Sequence, residues 1–331
     1  MTTAELRELN MRIEAETGFL TDLREGMRHR IIGQERLTEL LLTGLLSGGH
    51  ILLEGVPGLA KTLAVKTLSA LIDGQFSSIQ FTPDLLPADL VGTIVYSQHE
   101  EAFRTKKGPV FANFILADEI NRAPAKVQSA LLEAMEEHQV TIGDETFALP
   151  NPFLVLATQN PIDQEGTYAL PEAQVDRFML KAIVDYPAKN DEVAIIRGHL
   201  SGEIKEAIRP VVSLSDILHA RQVVADIYLD ESIAYYIADL VNATRRPAEY
   251  GLDELQRYIT FGASPRASIN MALAARTTAF LHRRGYVVPE DVHEVAYEVM
   301  RHRIGLTYEA EADEVSSDTI IASIVNKVKV P

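Results

Sequence analysis

A glycine-rich segment at residues 55–62 has the residue types of an anion-binding loop. It follows the apolar run Ile51–Leu53 and precedes a stretch of helical character. In this setting, backbone N–H groups and the N-terminus of the helix converge on a phosphate group. We therefore predict a phosphate-binding loop made of Gly55, Val56, Pro57, Gly58, Leu59, Ala60, Lys61, Thr62 and Leu63.

Two side chains of this loop carry its expected chemistry. Lys61 would contact the β and γ phosphates of a nucleoside triphosphate, and the hydroxyl of Thr62 would ligate Mg²⁺. Ala60 stands where a glycine usually precedes the lysine. Alanine fits there if its backbone is right-handed helical and is strained if its φ angle is positive. The alternative is a glycine turn that only joins a strand to a helix.

A pair of carboxylates ends a second apolar run. Phe114–Ala117 leads directly into Asp118 and Glu119. Parallel strands deliver their carboxyl ends to the same crevice, so we predict that both side chains reach the phosphate site. Asp118 would hold Mg²⁺ through water, and Glu119 would orient and deprotonate the attacking water. The alternative is a solvated strand end.

Two polar residues end further apolar runs. Asn160 follows Phe153–Ala157 and could hydrogen-bond both the γ-phosphate and the attacking water. Asparagine before proline is also a common turn residue, so its position is the main support. Gln80 ends another short run and could contact Glu119, holding it inactive until nucleotide binds.

The elements that position these residues change type near Pro187. Before it, short apolar runs alternate with helix-like segments, which predicts a buried parallel sheet with helices on each side. Val140–Leu149 and Thr93–Thr105 have the pattern of projecting hairpins. After it, apolar spacing of three and four predicts helices only. We expect a helical lead-in at 1–30, an α/β nucleotide-binding domain at 31–187 and an all-helical domain at 188–331.

Composition limits the alternatives. The 331 residues include 31 Lys and Arg against 47 Asp and Glu, a net charge of −16, which argues against wrapping around nucleic acid through bulk electrostatics. With no cysteine, thiolate metal sites and thiol catalysis are excluded. The longest uncharged apolar stretch, Leu40–Leu53, is too short for a membrane span, and the first residues lack a secretory pattern. We expect a cytoplasmic protein.

The ordered series of motifs resembles the AAA+ ATPase superfamily and, within it, the MoxR family. The resemblance extends over about residues 30–305, and Ala60 before the lysine is also similar to a MoxR-type loop. A phosphate loop alone is shared by many nucleotide-binding proteins, whereas this order is specific. The matching segments are residues 31–34, 55–62, 116–122, 156–161, 170–178 and 264–267.

The resemblance implies an α/β fold, a P-loop NTPase three-layer αβα core with a parallel sheet, followed by an all-α lid. ATP and Mg²⁺ would bind between the two in a ring of usually six subunits. Ile31 and Ile32 would line the adenine pocket. Arg177 would be an arginine finger that reaches the neighbouring subunit's γ-phosphate, and Arg266 a second sensor in its own subunit. Either arginine could instead form a surface salt bridge, and Arg122 could be a surface charge or a second interface arginine.

Three functions follow as hypotheses. The resemblance favours a Mg²⁺-dependent ring ATPase with a chaperone-like action on a protein client, typically together with a protein that carries a von Willebrand factor A domain. The second hypothesis is a motor subunit of a chelatase-like or nucleic-acid-associated complex. The third is a nucleotide sensor that does not hydrolyse ATP, against which the set Asp118, Glu119, Asn160 and Arg177 argues.

Overall fold

The computed structural model describes residues 3–55, 59–99, 101–159, 167–201 and 208–331. Four of the predicted site residues, Val56, Pro57, Gly58 and Asn160, lie outside these ranges. Within them, no helix combines the length and apolar character that crossing a membrane requires.

The described segments form helices and strands throughout the chain. The helices are α1 (Thr3–Glu16), α2 (Gly18–Arg30), α3 (Glu35–Ser47), α4 (Lys61–Leu71), α5 (Pro87–Val91), α6 (Ala125–Glu137), α7 (Glu172–Val175), α8 (Lys189–Ser201), α9 (Leu214–Asp226), α10 (Glu231–Ala243), α11 (Pro265–Leu281), α12 (Pro289–Met300), α13 (Tyr308–Ala312) and α14 (Ser317–Lys327). The strands are β1 (Ile51–Glu54), β2 (Phe76–Gln80), β3 (Gly92–Ser97), β4 (Ala102–Lys107), β5 (Phe114–Asp118), β6 (Gln139–Ile142), β7 (Glu145–Ala148), β8 (Leu154–Gln159), β9 (Leu180–Ile183), β10 (Ile259–Phe261) and β11 (Gly305–Leu306).

Five strands form one sheet in the order β2-β5-β8-β1-β9. The pairs β2–β5, β5–β8 and β1–β8 are parallel. The predicted α/β class with a parallel sheet is therefore confirmed. The apolar runs lack alternation because the inner strands β5 and β8 are covered on both faces, and their side chains from Phe114 to Ala117 and from Leu154 to Ala157 are fully buried.

A buried histidine joins the sheet to a helix. His50 immediately precedes β1, and its Nδ1 accepts a hydrogen bond of 3.0 Å from the backbone N–H of Val155 in β8. Its Nε2 lies 3.1 Å from the carbonyl oxygen of Met135 in α6 and donates to it. The polar ring is thus satisfied inside the core, as buried polar groups must be.

Both predicted hairpins are present. β3 pairs with β4 and β6 pairs with β7, each as an antiparallel two-stranded sheet separate from the five-stranded one. The β3–β4 hairpin exposes Ile94, Tyr96 and Phe103, and the rings of the last two meet edge to face with centroids 5.3 Å apart. Exposed apolar side chains on a projecting element are typical of a contact surface.

The chain divides into two compact units. One comprises residues 19–177 and 182–218 and includes most of the sheet. The other comprises residues 1–18, 178–181 and 219–331 and is mainly helical, with the short antiparallel ladder β10–β11. α1 belongs to this second unit, where Arg12 forms an ion pair of 2.9 Å with Asp226.

Candidate active site

A cavity of about 340 Å³ lies at the carboxyl edge of the sheet, where β1, β5 and β8 end. Its volume is at the lower end of the range of small-molecule sites. Eight of the predicted site residues and two further residues line it. They are Gly55, Leu59, Ala60, Lys61, Thr62, Leu63, Asp118 and Glu119, together with Thr158 and Gln159.

Strand register explains why distant residues meet here. Gln80 in β2 is the partner of Asp118 in β5, and Ala117 is the partner of Ala157 in β8. Because all of these strands are parallel, their last residues end at the same edge. Side chains about 40 positions apart in the sequence therefore become neighbours.

Lys61 begins α4 and points toward the end of β1. Its ammonium group donates a hydrogen bond to the carbonyl oxygen of Gly55. Burial lowers the pKa of Lys61, while the carboxylates of Asp118, Glu119 and Glu54 oppose that change. A partly buried ammonium group beside acids is suited to hold an anion together with a metal cation.

Ala60 adopts the backbone conformation that is unfavourable for alanine. Its φ and ψ angles are +57° and +18°, in the left-handed region, directly before α4. A side chain there costs about 1–3 kcal/mol relative to an unstrained conformation. The loop therefore has the geometry that normally selects glycine, although alanine occupies it.

Glu119 is a second left-handed residue beside the cavity. Its φ and ψ angles are +56° and +51°, and it separates β5 from the short 3₁₀ helix Ile120–Arg122. Its backbone N–H donates a hydrogen bond of 2.8 Å to the hydroxyl oxygen of Thr158. Such strain persists where neighbouring contacts hold it, and it is common at functional sites.

Thr158 is one of the two cavity-lining residues that the sequence analysis missed, the other being Gln159. Besides accepting from Glu119, its hydroxyl donates a hydrogen bond of 2.5 Å to a carboxylate oxygen of Asp118. One buried hydroxyl thus connects both predicted carboxylate residues. The available signal was its place as a polar residue near the end of an otherwise apolar central strand.

In the part of the chain that the structure describes, the carboxylate of Glu119 contacts two polar side chains. Oε2 accepts a hydrogen bond of 2.9 Å from Nε2 of Gln80 and lies 3.1 Å from Nε of Arg122. The contact with Gln80 is the one that the sequence analysis expected. Because both partners donate to the same oxygen, these contacts hold the carboxylate to one side.

Arg177 and the two isoleucines lie elsewhere in the sheet-containing unit. Nε of Arg177 is 3.0 Å from a carboxylate oxygen of Glu136 in α6, a half-exposed ion pair on the surface. Ile31 is buried, and Ile32 lines a second cavity of about 740 Å³.

Arg266 lies in the other unit, in the first turn of α11. The hydroxyl of Ser264 caps this helix by accepting a hydrogen bond of 3.2 Å from the backbone N–H of Arg266. Capping fixes the first turn and therefore the base of the arginine side chain.

The donors at the 340 Å³ cavity fit Mg²⁺ and a triphosphate. Mg²⁺ prefers oxygen ligands and is commonly held by one or two carboxylates together with substrate phosphates. Among the lining residues, Thr62 offers a hydroxyl, Asp118 a carboxylate and Lys61 a cation. These are the ligand types that a metal–nucleotide complex requires.

Fold and motif order define the class of protein as an AAA+ ATPase. Residues 50–180 match the family described as ATPase family associated with various cellular activities (AAA), and residues 254–324 match the AAA lid domain. The chain belongs to the MoxR family within this class, as the following relatives show, and the predicted resemblance is confirmed.

Chaperone MoxR1 of Mycobacterium tuberculosis is 50% identical over 301 residues, which cover 91% of this chain and 79% of that protein. Protein MoxR of Paracoccus denitrificans is 34% identical, covering 84% of this chain and 86% of that protein. The crystal structure of an ATPase candidate from Cytophaga hutchinsonii is 51% identical, with a TM-score of 0.93 and 99% of each chain covered.

Proposed function

We propose that this chain binds ATP with Mg²⁺ at the 340 Å³ cavity and hydrolyses it. One observation carries the proposal: Lys61, Thr62, Asp118 and Glu119 line the same cavity although they belong to two separate motifs. Together they supply a cation for the phosphates, oxygen ligands for the metal and a base for water. Phosphoryl transfer depends mainly on such positioning and charge stabilisation.

Each residue has a distinct part in the proposal. Lys61 would contact the β and γ phosphates, and Thr62 and Asp118 would hold Mg²⁺, which neutralises phosphate charge when bound. Glu119 would accept a proton from the attacking water. Its contacts with Gln80 and Arg122 engage one carboxylate oxygen, so we propose that nucleotide binding releases Glu119 from Gln80.

The remaining site residues complete the proposal at the level of the assembly. A ring of subunits, six in number, would place Arg177 against the γ-phosphate of the neighbouring subunit, which requires it to leave Glu136. Arg266 would act on the nucleotide of its own subunit, and Ile31 and Ile32 would line the adenine pocket. Asn160 stays a prediction from sequence. Arginines at a developing phosphoryl charge are worth ~10³–10⁵ in rate.

The work done with ATP would be the remodelling of a protein client in the cytoplasm. One relative is named a chaperone, and the family resemblance favours a partner with a von Willebrand factor A domain. The β3–β4 hairpin exposes Tyr96 and Phe103, whereas Lys107 at its end lies 4.8 Å from the ring centroids of Phe111 and Phe147. Exposed aromatic side chains beside the hairpin turn, on a chain with a net charge of −16, favour a protein over a nucleic acid as the target.

Lys61→Ala tests the nucleotide site. We expect it to weaken binding of ATP–Mg²⁺ by ~100-fold or more, because a partly buried charge pair is lost. Lys66→Ala is the matched control, since Lys66 is exposed on the same helix. Binding is measured by titration with a fluorescent ATP analogue. Equal affinities of the two variants would refute the site.

A further inference from the structure

The residues directly after Arg177 belong to a different compact unit from Arg177 itself. Phe178 and Met179 lie in the bend between α7 and β9, and both side chains are buried. Residues 178–181 belong to the same compact unit as residues 219–331, whereas Arg177 belongs to the sheet-containing unit. The backbone that follows the predicted arginine finger thus belongs to the mainly helical unit.

Two side chains converge on the carbonyl oxygen of Phe178. Nε2 of His302 lies 3.0 Å from it, and a terminal guanidinium nitrogen of Arg303 donates to it at 2.6 Å. The other terminal nitrogen of Arg303 donates to the carbonyl of Met179 at 3.2 Å. A carbonyl that accepts from two directions, one donor being charged, is restricted in orientation.

Both donors are costly to bury without partners. Arg303 is only 3% exposed, and His302 is partly buried. Burial lowers the pKa of the His302 imidazole well below its usual value, and the charge of Arg303 lowers it further. The ring is therefore neutral at pH 7, and Nε2 carries the proton because the Phe178 carbonyl can only accept.

Arg301, the residue before His302, holds a backbone carbonyl of β9 in the same way. Arg301 donates a hydrogen bond of 2.9 Å to the carbonyl of Lys181 and forms a two-point ion pair with Asp318 in α14. Three consecutive residues after α12 therefore donate to three carbonyls, those of Phe178, Met179 and Lys181, in the segment that begins immediately after Arg177. Those nearest to Arg177 are His302 and Arg303.

We propose that His302 and Arg303 are positioning residues for Arg177. By fixing the peptide of Phe178, they set the position of the Arg177 backbone and hence the direction in which its side chain leaves the subunit. The side chain itself is half-exposed and paired with Glu136, so its far end can exchange partners while its base stays fixed. This inference rests on the proposed role of Arg177 toward a neighbouring subunit's nucleotide.

Loss of this positioning should have a measurable effect on the rate of ATP hydrolysis. An arginine side chain is long, so a small rotation at its base is amplified at the guanidinium group. A misplacement of about 1 Å in a catalytic arrangement can cost ~10²-fold in rate. We therefore expect Arg303→Lys, which keeps the charge but loses the planar fork, to lower kcat by ~10-fold while ATP affinity changes by less than about twofold.

Four variants form the direct test. Arg303→Lys and His302→Ala remove donors to Phe178, and His302→Gln keeps an N–H donor at this position and should recover part of the lost kcat. Arg276→Lys is the control: Arg276 lies in the same unit and donates to a backbone carbonyl, that of Ala225, at 3.3 Å. Thermal unfolding confirms that each variant folds. If Arg303→Lys does not fold, His302→Ala carries the test.

Mixed rings separate positioning from general damage. A ring of Arg303→Lys and Glu119→Gln subunits contains Arg303→Lys active sites whose neighbour supplies an intact Arg177. Turnover per Arg303→Lys subunit should therefore rise above that of the pure variant, and the same holds for His302→Ala. A defect confined to the variant's own active site would show no such rise and would overturn the inference.

The double variant Arg177→Ala/Arg303→Lys distinguishes the positioning role of Arg303 from the proposed function of Arg177 itself. If Arg303 acts through Arg177, adding Arg303→Lys to Arg177→Ala should lower kcat no further. A further loss equal to that of Arg303→Lys alone, or unchanged kcat in folded Arg303→Lys and His302→Ala, would overturn the positioning role. If Arg177→Ala itself turns over ATP at the wild-type rate, the proposed function of Arg177 has failed instead.

Discussion

At the scale of single residues, two non-glycine residues with strained backbone angles lie beside the candidate active site. Ala60 and Glu119 both have left-handed backbone angles, and both line the same cavity. In Glu119 the strain is held by the hydrogen bond from its N–H to Thr158. We interpret this conformation as the means by which the carboxylate is turned from the end of β5 into the cavity.

Ala60→Gly tests whether the loop strain is real. Glycine adopts left-handed angles without a steric penalty, so we expect the free energy of unfolding to rise by about 1 kcal/mol. Ala64→Gly in α4 is the control and should lower the free energy of unfolding, because Ala64 is buried inside a helix. Urea unfolding of the nucleotide-free protein measures both. A less stable Ala60→Gly variant would contradict the account.

At the scale of elements, the ends of three parallel strands create the site. β1 leads into the phosphate loop, β5 ends in Asp118, and β8 ends with Thr158 and Gln159. The buried hydroxyl of Thr158 connects β8 to both acidic residues. The edge of the sheet is therefore held together by side-chain hydrogen bonds as well as by the strand ladder.

Thr158→Val tests this connection. Valine has nearly the same shape but no hydroxyl, so the N–H of Glu119 loses its partner. We expect a loss of about 1–3 kcal/mol in the free energy of unfolding and a lower kcat. Thr158→Ser keeps the hydroxyl and should retain most of both quantities, and Thr146→Val on the exposed β6–β7 hairpin should change neither.

Unfolding and steady-state turnover give the two readouts for Thr158. Equal behaviour of the valine and serine variants would show that the hydroxyl does not hold the site.

The elements were largely predictable, but of the contacts between them only that of Gln80 with Glu119 was predicted. Apolar runs without alternation indicated buried strands, and polar residues at their ends indicated a shared edge. Thr158 was missed because a threonine in a strand has many ordinary roles. The pairing of Arg177 with Glu136 was missed because it joins residues 41 positions apart on different elements, which no local pattern encodes.

Backbone conformation was the other limit of the sequence analysis. Whether Ala60 is left-handed depends on how the loop joins β1 to α4, and its residue type favours the opposite conformation. The left-handed angles of Glu119 likewise depend on Thr158, a residue from another strand. Both features are determined by tertiary structure, which overrides local preference.

At the scale of the whole molecule, the proposal divides each active site between subunits. Arg177 pairs with Glu136 of its own chain in this structure. A half-exposed surface ion pair contributes little, about 0–1 kcal/mol, so exchange of its partner in an assembly is energetically accessible. Hydrolysis would then depend on the ring.

Mixing subunits tests this division. A ring of Arg177→Ala and Glu119→Gln subunits should hydrolyse ATP faster than either variant alone, because the first keeps the base and the second supplies the arginine. Mixing Arg177→Ala with the double variant Arg177→Ala/Glu119→Gln is the control and should give no gain, since neither subunit supplies the arginine. Equal rates in the two mixtures would contradict action across the subunit boundary.

The central claim is that the cavity at the sheet edge is a hydrolytic ATP site in which Glu119 is the base. The most direct measurement is ATP turnover and ATP affinity of Glu119→Gln beside Glu133→Gln, an exposed glutamate on α6. We predict that Glu119→Gln lowers kcat by ~10²–10⁴-fold with affinity changed by less than about twofold, and that Glu133→Gln is unchanged. Wild-type turnover by Glu119→Gln would contradict the account.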